Sequence, residues 1–322
     1  MSTDRRSPGP GASSDRHSPG PGPSSDRHSA GPGASTERHS AGPGASSDRV
    51  VVVGQLARDI VLVVGAMPET GTAADVTERR EMLGGKGANQ AVAVAQLGMP
   101  VSLVAVVGDD FISDQLLAQA ISDGIDVRPV VRRRGAPTGL IVEVLEADGH
   151  WRYLQHLPPP VLLTAADVEA SADLLRTAAA VMIQLQQPAA GVEAALRYAR
   201  QGNALVVVDG VADPETIAQA DVVRADENEA AQLGDIDRIL ASGPRLVAFG
   251  TENGNRFAWP GGTLELPLTG GPATDTTGGG DSFVAALTVA LLHGDTPPQA
   301  ARKAVDASGS TVRHPGGRPA LR

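Results

Sequence analysis

The sequence from Val50 onward alternates between short β-branched runs and longer stretches rich in Ala and Leu. The short runs have the length and composition of buried strands, and the longer stretches carry apolar residues at helical spacing. Because strands that alternate with helices are joined by right-handed crossovers, the pattern predicts an α/β fold with a central, mainly parallel sheet flanked by helices. Strands are predicted at 50–54, 60–64, 101–107, 140–145, 181–185, 204–208, 221–224 and 245–249, and helices at 88–97, 113–122, 164–175, 191–199 and 283–292.

Two segments depart from this alternation, 72–83 and 138–154. Both are typical of exposed antiparallel strands, and Gly149 marks a turn within the second. Such an excursion from an α/β domain, close in sequence to a Gly-rich loop, predicts a lid over a ligand. We expect this small β-sheet lid to be built from about 59–84 and 138–155.

Residues 1–49 repeat an eleven-residue unit, which begins again at Ser18 and at Ser29. The unit is rich in Ser, Gly and Pro and contains almost no large apolar residue. It therefore cannot bury enough surface to offset the entropy of an ordered chain. We predict a disordered repeat tail at 1–49 and one folded domain at 50–322. The histidines that recur with the repeat are assigned no role.

Composition excludes several classes of function. The formal net charge is −10 and aromatic residues make up 2% of the 322, which argues against a nucleic-acid partner. Cysteine is absent, so disulfides, thiol nucleophiles and thiolate metal sites are excluded. No apolar stretch approaches the roughly 18 residues of a membrane helix, and the N-terminus lacks the order of a signal peptide. We therefore predict a cytoplasmic protein with no membrane partner.

The strongest local motif is Asp-Thr-Thr-Gly-Gly-Gly-Asp-Ser at 275–282, directly before the predicted helix 283–292. Glycines let backbone N–H groups approach an anion, and the helix N-terminus adds positive charge at the same place. We interpret the segment as an anion pocket. Asp281 beside it would repel a phosphate unless it removes a proton, which makes it a candidate general base in phosphoryl transfer. The alternative is that Asp281 only caps the helix.

A second motif, Gly-Gly-Lys-Gly-Ala-Asn-Gln at 84–90, also leads into a predicted helix, which Gly98 closes. It is not a P-loop, because Gly follows Lys86 where Ser or Thr is required. It also lacks the spacing of the dinucleotide fingerprint, which argues against a nicotinamide dehydrogenase. Taken alone, the segment is equally consistent with a tight turn capped by Asn89.

Together the two motifs resemble the signatures of the ribokinase-like, or PfkB, carbohydrate kinase family. The signature GGKGANQA is matched by 84–91, and DTTGAGDSF is matched by 275–283 with Gly279 in place of alanine. Both motifs stand in the family's order and at its separation, and the similarity extends from about residue 50 to 318. The resemblance implies an α/β domain with a small β lid that uses ATP and Mg²⁺, often with activation by a monovalent cation such as K⁺.

The resemblance also implies roles for single residues at the phosphate and sugar ends of the site. The anion hole is expected to consist of three consecutive glycines: Gly278, Gly279 and Gly280. The sugar site is expected to comprise residues of the first motif and an aspartate that binds sugar hydroxyls: Gly85, Lys86, Asn89 and Asp59. Asp281 is expected to be the base and to contact the substrate between these two groups.

Nucleotide and ion sites are implied in the same way. Asp226 and Glu229 match the family's Asn-x-x-Glu segment, which orders Mg²⁺ and phosphates through water, with Asp in place of Asn. A nucleotide-binding Gly-x-x-Gly turn, here one residue longer, is matched by the following residues: Gly250, Thr251 and Gly254. The monovalent cation is expected at a carboxylate, a carbonyl and a C-terminal loop: Asp275, Thr277 and Gly316.

Three departures from the family concern the acceptor. Ribokinases have Asn where Ala57 stands, and their sugar-binding lid glutamate aligns with His150. The Asn-Pro pair expected after the strand 204–208 reads Asp209-Gly210. Because each lost hydrogen-bond partner weakens sugar binding, ribose is not assumed.

We predict ATP-dependent phosphorylation of a hydroxymethyl group on a sugar or nucleoside. The alternative is a catalytically altered regulatory protein that binds a sugar or nucleotide on the same fold. The discriminating observation is turnover, because only the enzyme would form ADP together with a phosphorylated product. Dimerisation through the lid is common in the family, and nothing in the sequence decides whether this chain forms a homodimer.

Overall fold

The structure, a computed structural model, describes residues 48–269, 271, 275–314 and 317–321. The predicted tail lies outside these residues except for its last two, and Gly316 lies outside them as well. In chain order the strands are β1 (Val50–Val53), β2 (Ala57–Val64), β3 (Val76–Gly84), β4 (Val101–Val104), β5 (Val106–Gly108), β6 (Ile125–Asp126), β7 (Val131–Arg133), β8 (Gly139–Glu146), β9 (Trp151–His156), β10 (Ala180–Gln184), β11 (Leu205–Asp209), β12 (Val222–Ala225), β13 (Leu246–Thr251), β14 (Gly254–Trp259) and β15 (Gly262–Pro267). The helices are α1 (Lys86–Gln96), α2 (Phe111–Ser122), α3 (Ala165–Glu169), α4 (Ala172–Thr177), α5 (Ala189–Ala199), α6 (Pro214–Ala218), α7 (Glu227–Leu233), α8 (Ile236–Ala241), α9 (Gly279–Leu292) and α10 (Pro297–Thr311).

The large sheet has nine strands in the order β15-β14-β13-β12-β11-β10-β1-β4-β6. Neighbours from β13 to β6 are parallel, and β14 and β15 form an antiparallel edge. Because successive side chains of a strand point to opposite faces, Val50 and Val52 pack on one helical layer while Val51 and Val53 pack on the other. The first layer contains α1, α2, α9 and α10, and the second contains α3 to α8. The predicted α/β fold class is confirmed.

A separate sheet of four strands, in the order β3-β2-β8-β9, forms the lid. The pairs β2–β3 and β8–β9 are antiparallel, as predicted for the two excursions. The central pair β2–β8 is parallel, with Ala57 opposite Gly139 and Val61 opposite Glu143. This parallel pairing joins segments that are far apart in the sequence, which is why the two excursions form one sheet rather than two hairpins.

Some predicted elements differ from the structure. The predicted strand 101–107 is interrupted at Ala105, because β5 leaves the large sheet and pairs with β7. The predicted helix 164–175 divides into α3 and α4 near Ser171, whose N–H donates to the carbonyl of Val168 three residues back. The hairpin β14–β15 and helix α10 were not predicted. None of the helices within the described residues is both long and apolar enough to cross a membrane.

The chain places its two motifs at one edge of the large sheet. The lid strand β2 begins shortly after β1, and the first turn of α1 packs on the backbone between them, at Gly54 and Gln55. Strands β11 and β12 end nearby with Asp209 and Ala225. In open α/β sheets, ligands bind outside the carboxyl ends of the parallel strands. A ligand site is therefore expected at this edge, with the lid beside it.

Candidate active site

A cavity of about 630 Å³ lies between the carboxyl edge of the large sheet and the lid. Its walls include Arg224 from β12, Glu143 from β8 and Asp281 from α9. Its volume is in the range of pockets that bind small molecules. The cavity brings together residues of both Gly-rich motifs, which are separated by almost 200 positions in the sequence.

The N-terminus of α9 is formed by the glycines of the second signature. Gly278 is the N-cap residue and has a φ of 69°, a left-handed conformation that favours glycine. A Cβ atom on Gly278 would lie 1.6 Å from the carbonyl oxygen of Gly317, so no side chain fits. The first backbone N–H groups of α9 have no partner within the helix, as an anion pocket requires.

The next glycine explains a departure from the family signature. Gly279 stands where the signature has alanine, and its Cβ would lie 2.7 Å from Cγ1 of Val312. Val312 follows α10, which packs along α9. A methyl group at this position would therefore require the side chain of Val312 to shift.

Gly278→Ala is expected to lower the melting temperature by more than Gly98→Ala does. Both glycines have positive φ, at 69° and 85°, so both variants acquire a backbone strain of about 1 kcal/mol or more. Only Gly278 also has a backbone atom in the place of the new Cβ, whereas Gly98 has open space. Thermal unfolding of the two variants measures the difference. Equal losses would show that the contact with Gly317 is not tight.

Asp281 is the third residue of α9 and is only 6% exposed. Its carboxylate accepts hydrogen bonds from Asn89 Nδ2 at 3.4 Å and from Gln90 Nε2 at 3.2 Å. Because Gly278 is the N-cap and no side chain caps this helix, the alternative that Asp281 is only a helix cap is wrong. Burial, together with the nearby charge of Asp209, raises the pKa of Asp281 to about 7.

The first motif forms the start of α1 and faces Asp281. Gly85 is its N-cap, with a φ of 85°, so the interpretation of Asn89 as a capping residue is wrong. Lys86 lines the cavity and its Nζ lies 3.5 Å from Oε1 of Glu229. Burial acts against the charge of Lys86, but the carboxylates of Asp209, Asp281 and Glu229 outweigh it and raise the pKa of this lysine. Lys86 therefore remains a cation in the cavity.

Asp59 lies at the lid end of the cavity, on β2. A Cβ atom on Gly84 would lie 1.9 Å from Cγ of Asp59, so the glycine of β3 makes room for this carboxyl group. Burial, and secondarily the charges of Glu143 and Asp281, raise the pKa of Asp59 to about 8. A carboxyl group that is protonated at neutral pH can both donate and accept hydrogen bonds, which suits a sugar hydroxyl.

A second lid carboxylate, Glu143, lines the cavity and is 3% exposed. It accepts a hydrogen bond from Thr277 Oγ1 at 3.1 Å, and burial with the nearby charge of Asp275 raises its pKa to about 7. His150, which was expected to align with the lid glutamate, is not part of this cavity wall. The His150 side chain is 76% exposed, lies in the β8–β9 turn and pairs with Asp148.

The sequence contains a signal that could have identified Glu143. It is the one charged residue within the apolar run 140–145 that was predicted to be a strand. A carboxylate inside such a run is costly to bury unless it has a partner or a function. Ala57, the other departure on the lid, is fully buried and is not part of the cavity wall.

Below Asp281 lies an ion pair that sequence reasoning missed. Arg224 Nη1 donates to Oδ1 of Asp209 at 2.8 Å, and Gln90 Nε2 donates both to Oδ2 of Asp209, at 2.9 Å, and to Asp281. Asp209 stands where the family has Asn. The negative charge that this change introduces is paired with Arg224. The signal was a single arginine at the end of the predicted strand 221–224.

The residues expected to order Mg²⁺ lie at the start of α7. Asp226 lines the cavity, and its carboxylate caps the helix by accepting from the N–H of Glu229 at 2.9 Å. In return, Oε2 of Glu229 accepts from the N–H of Asp226, while Oε1 faces Lys86. No group of three or more His, Asp or Glu within the described ranges is arranged to hold a metal by itself. A divalent ion here would need water and phosphate oxygens as further ligands.

The expected nucleotide-binding turn lies apart from the main cavity. Gly250 packs on the backbone of α7, because its Cβ would lie 3.0 Å from the nitrogen of Glu227. Thr251 and Gly254 pair across the β13–β14 hairpin and line a separate hollow of about 470 Å³. The structure therefore joins Gly250 to the Asp226 segment and places the other two residues in a neighbouring hollow.

The residues expected to hold a monovalent cation lie beside the anion pocket. Asp275 is buried, and one of its carboxylate oxygens accepts from the N–H of Thr277 at 2.8 Å. Gly317 packs against Thr277 and Gly278, so the C-terminal loop reaches this turn. Gly316, the third residue of the expected site, lies outside the described residues.

Comparison with known proteins identifies the family. A model described as pfkB family carbohydrate kinase matches residues 47–322. The chain belongs to the pfkB family of carbohydrate kinases. The predicted class of enzyme, a phosphotransferase that acts on carbohydrates, is thereby confirmed.

Two curated relatives and one solved structure are similar to this pfkB family chain. Ribokinase of Bacillus subtilis is 30% identical over 260 residues, which cover 76% of this chain and 86% of that protein. Ribokinase of Schizosaccharomyces pombe is 29% identical over 258 residues, which cover 72% of this chain and 81% of that protein. The structure of Arabidopsis thaliana ribokinase complexed with ribose and ATP matches with a TM-score of 0.70 at 24% identity, covering 86% of this chain and 96% of that one. The last comparison supports the fold.

Proposed function

We propose that this carbohydrate kinase transfers the terminal phosphate of ATP to a hydroxymethyl group of an unphosphorylated sugar or nucleoside. The observation that carries the proposal is the position of Asp281, a buried carboxylate in the first turn of α9 where the two signature motifs meet. A general base is most effective when its pKa is near the working pH, and the pKa of Asp281 is about 7.

The proposed reaction needs one proton acceptor and stabilisation of charge. The acceptor hydroxyl gives its proton to Asp281 while its oxygen forms a bond to the terminal phosphorus. The bond from that phosphorus to the bridging oxygen breaks, and ADP leaves with the electron pair. The N–H groups at the start of α9, held by Gly278 to Gly280, would bind the phosphoryl oxygens. Lys86 adds a positive charge to the same cavity.

Mg²⁺ fits the acidic start of α7. Asp226 and Glu229 would hold it through water, in accord with the preference of this ion for oxygen ligands. When bound with ATP, Mg²⁺ neutralises charge on the phosphates. A monovalent cation such as K⁺ would be held by Asp275 and by carbonyls of the turn at Thr277. These ions are proposals from the donor groups present.

The acceptor end favours an uncharged polyhydroxylated molecule. Three carboxyl groups, those of Asp59, Glu143 and Asp281, line the cavity and can accept hydrogen bonds from hydroxyls. Among the described residues of the cavity wall, the cations are Lys86, which faces Glu229, and Arg224, which pairs with Asp209, and neither lies on the lid. A phosphorylated sugar would place its second phosphate beside the carboxyl groups of Asp59 and Glu143, and no described lid residue of the cavity wall supplies a cation to balance its charge. The similarity to ribokinases makes pentoses the first acceptors to test.

The expected result of a substrate panel is ADP formation with unphosphorylated sugars or nucleosides and little with sugar phosphates. The panel should contain pentoses, hexoses, nucleosides and fructose 6-phosphate, assayed with Mg²⁺ and with K⁺ or Na⁺. Product phosphorylation should be confirmed by mass spectrometry, since this separates transfer from ATP hydrolysis. A preference for fructose 6-phosphate would contradict the proposed acceptor class. Binding of sugar or ATP with no turnover on any member would favour the regulatory alternative.

A further inference from the structure

Arg224 is a buried cation that lines the active-site cavity. It belongs to neither signature motif and has no role in the reaction proposed so far. It lies on β12, and its side chain is 14% exposed. A Cβ atom on Gly280 would lie 2.6 Å from Nη2 of Arg224 and 2.9 Å from its Cζ. The guanidinium group is therefore packed directly against the first turn of α9, where phosphoryl oxygens would bind.

The position of this guanidinium group is fixed by its neighbours. Nη1 donates to Asp209 at 2.8 Å, and the group lies over the ring of Phe283 at 5.9 Å from the ring centre. Asp209 is in turn bound by Gln90. A side chain held in this way needs little reorganisation when a ligand arrives, which is a property of groups that stabilise transition states.

The charges around the cavity also favour a role beyond pairing. Removing an ion pair from water costs free energy that offsets the attraction between the two charges. A gain in stability is therefore a poor explanation for the buried pair of Arg224 and Asp209. The cavity carries the carboxylates of Asp281 and Asp226 at its phosphate end, and Asp226 replaces an uncharged Asn of the family. Lys86 already faces Glu229. A guanidinium group has five N–H donors in a planar fork, which suits two oxygens of one phosphoryl group.

We propose that Arg224 is a further catalytic residue, whose guanidinium group binds the terminal phosphoryl group of the nucleotide and stabilises its charge during transfer. Asp209 is the positioning residue that holds Arg224 through Nη1. This inference rests on the proposed function, because it assigns a role within the same phosphoryl-transfer site. It concerns the nucleotide, so it can be tested without knowing the acceptor.

The competing explanation is that Arg224 acts only through Asp281. The charged and polar groups that face Asp281 include Asp209 from β11, Arg224 from β12, Asp59 from the lid, and three residues of α1: Lys86, Asn89 and Gln90. Arg224 favours the ionised form of Asp281, so its removal would raise the pKa of this base. In that case the acid limb of the pH profile would move to higher pH, and the full rate would return at alkaline pH.

The test compares Arg224→Gln and Arg224→Lys with Arg245→Gln. Arg245 is an exposed arginine that pairs with Asp221 and is not part of the cavity wall. Calorimetry measures the affinities for Mg-ATP and Mg-ADP. We expect Arg224→Gln to lower the affinity for Mg-ATP about 10- to 100-fold and to change the affinity for Mg-ADP by less than about twofold. The effect of Arg224→Lys on the Mg-ATP affinity should be intermediate. The plateau of kcat at high pH should fall about 10²-fold or more. Arg245→Gln should change none of these values.

Other outcomes would overturn the inference. Equal losses of ATP and ADP affinity, or an unchanged ATP affinity, would show that Arg224 does not bind the terminal phosphate. A displaced acid limb with an unchanged plateau would show that it acts only on Asp281. If Arg224→Gln unfolds, the double variant with Asp209→Asn removes both charges and keeps the comparison. If no acceptor is turned over by the unmodified protein, the proposed function fails while the ATP–ADP difference still decides the role of Arg224.

Discussion

Asp281→Asn is expected to lower kcat by at least about 10²-fold, with little change in the affinities for sugar and ATP. Asn keeps the size of the side chain but cannot accept the hydroxyl proton. Asn89 and Gln90 each donate a hydrogen bond to one carboxylate oxygen of Asp281. The side-chain amide of the variant keeps one oxygen that can accept such a bond, so the fold should persist. Steady-state kinetics with the best acceptor, together with calorimetry, measures both effects.

The pH profile provides a second measure of the same base. The unprotonated form of Asp281 is the active one, and its pKa is about 7. The rate in the unmodified protein should therefore fall about tenfold per unit as the pH drops below about 7. This acid limb should be absent from the residual activity of Asp281→Asn. The matched control is Asp306→Asn on the exposed side of α10, which should leave rate and profile unchanged. An Asp281→Asn variant with full activity would exclude Asp281 as the base.

Asp59→Ala is expected to lower kcat/KM for the acceptor by about 10²-fold, mainly through a higher KM for the sugar. The substitution removes hydrogen-bonding atoms from the lid end of the cavity and leaves the phosphate end intact. The KM for ATP should therefore change little. Asp59→Asn should lower kcat/KM less than Asp59→Ala does. The native carboxyl group, with a pKa of about 8, both donates and accepts hydrogen bonds at neutral pH, and the Asn side chain does the same.

The control for Asp59 is Asp148→Ala, which removes an exposed carboxylate from the β8–β9 turn of the same lid. It should leave both KM values unchanged. Melting temperatures must be compared as well, since Asp59 is buried against Gly84. An unchanged sugar KM in a folded Asp59→Ala protein would contradict the placement of the acceptor at the lid. A higher KM for ATP instead would indicate that ATP, rather than the acceptor, binds at the lid end of the cavity.

Much of the phosphate end was predictable because its determinants are local. The glycines at 278–280 and the apolar helix that follows them are contiguous, and the left-handed φ of Gly278 is a property of a single residue. Strand and helix positions followed from apolar periodicity, which depends on near neighbours. The elements that were interrupted or missed, such as the break at Ala105 and the hairpin β14–β15, depend on which partner strand is available.

The acceptor end was less predictable because it depends on sheet pairing. The parallel register of β2 and β8 sets Val61 opposite Glu143 and thereby brings this carboxylate to the cavity near Asp59. His150, seven positions further along the chain, lies in the β8–β9 turn and is not part of the cavity wall. A shift of one residue in a strand reverses which side chains face a cavity, so the sequence without the register does not show that Glu143 faces it.

The sequence by itself determined the α/β class and the two motif loops, because apolar periodicity and the glycine motifs are encoded by residues close together in the chain. It made Asp281 a candidate base only through the resemblance of both motifs to one family. The tertiary structure decided which distant groups surround that base. The buried network of Gln90, Asp209, Arg224 and Asp281 draws on α1, β11, β12 and α9. Its members meet only because strand order and helix packing bring them together. Asp281 ionises near neutral pH for the same reason, since burial and neighbouring charge are properties of the fold.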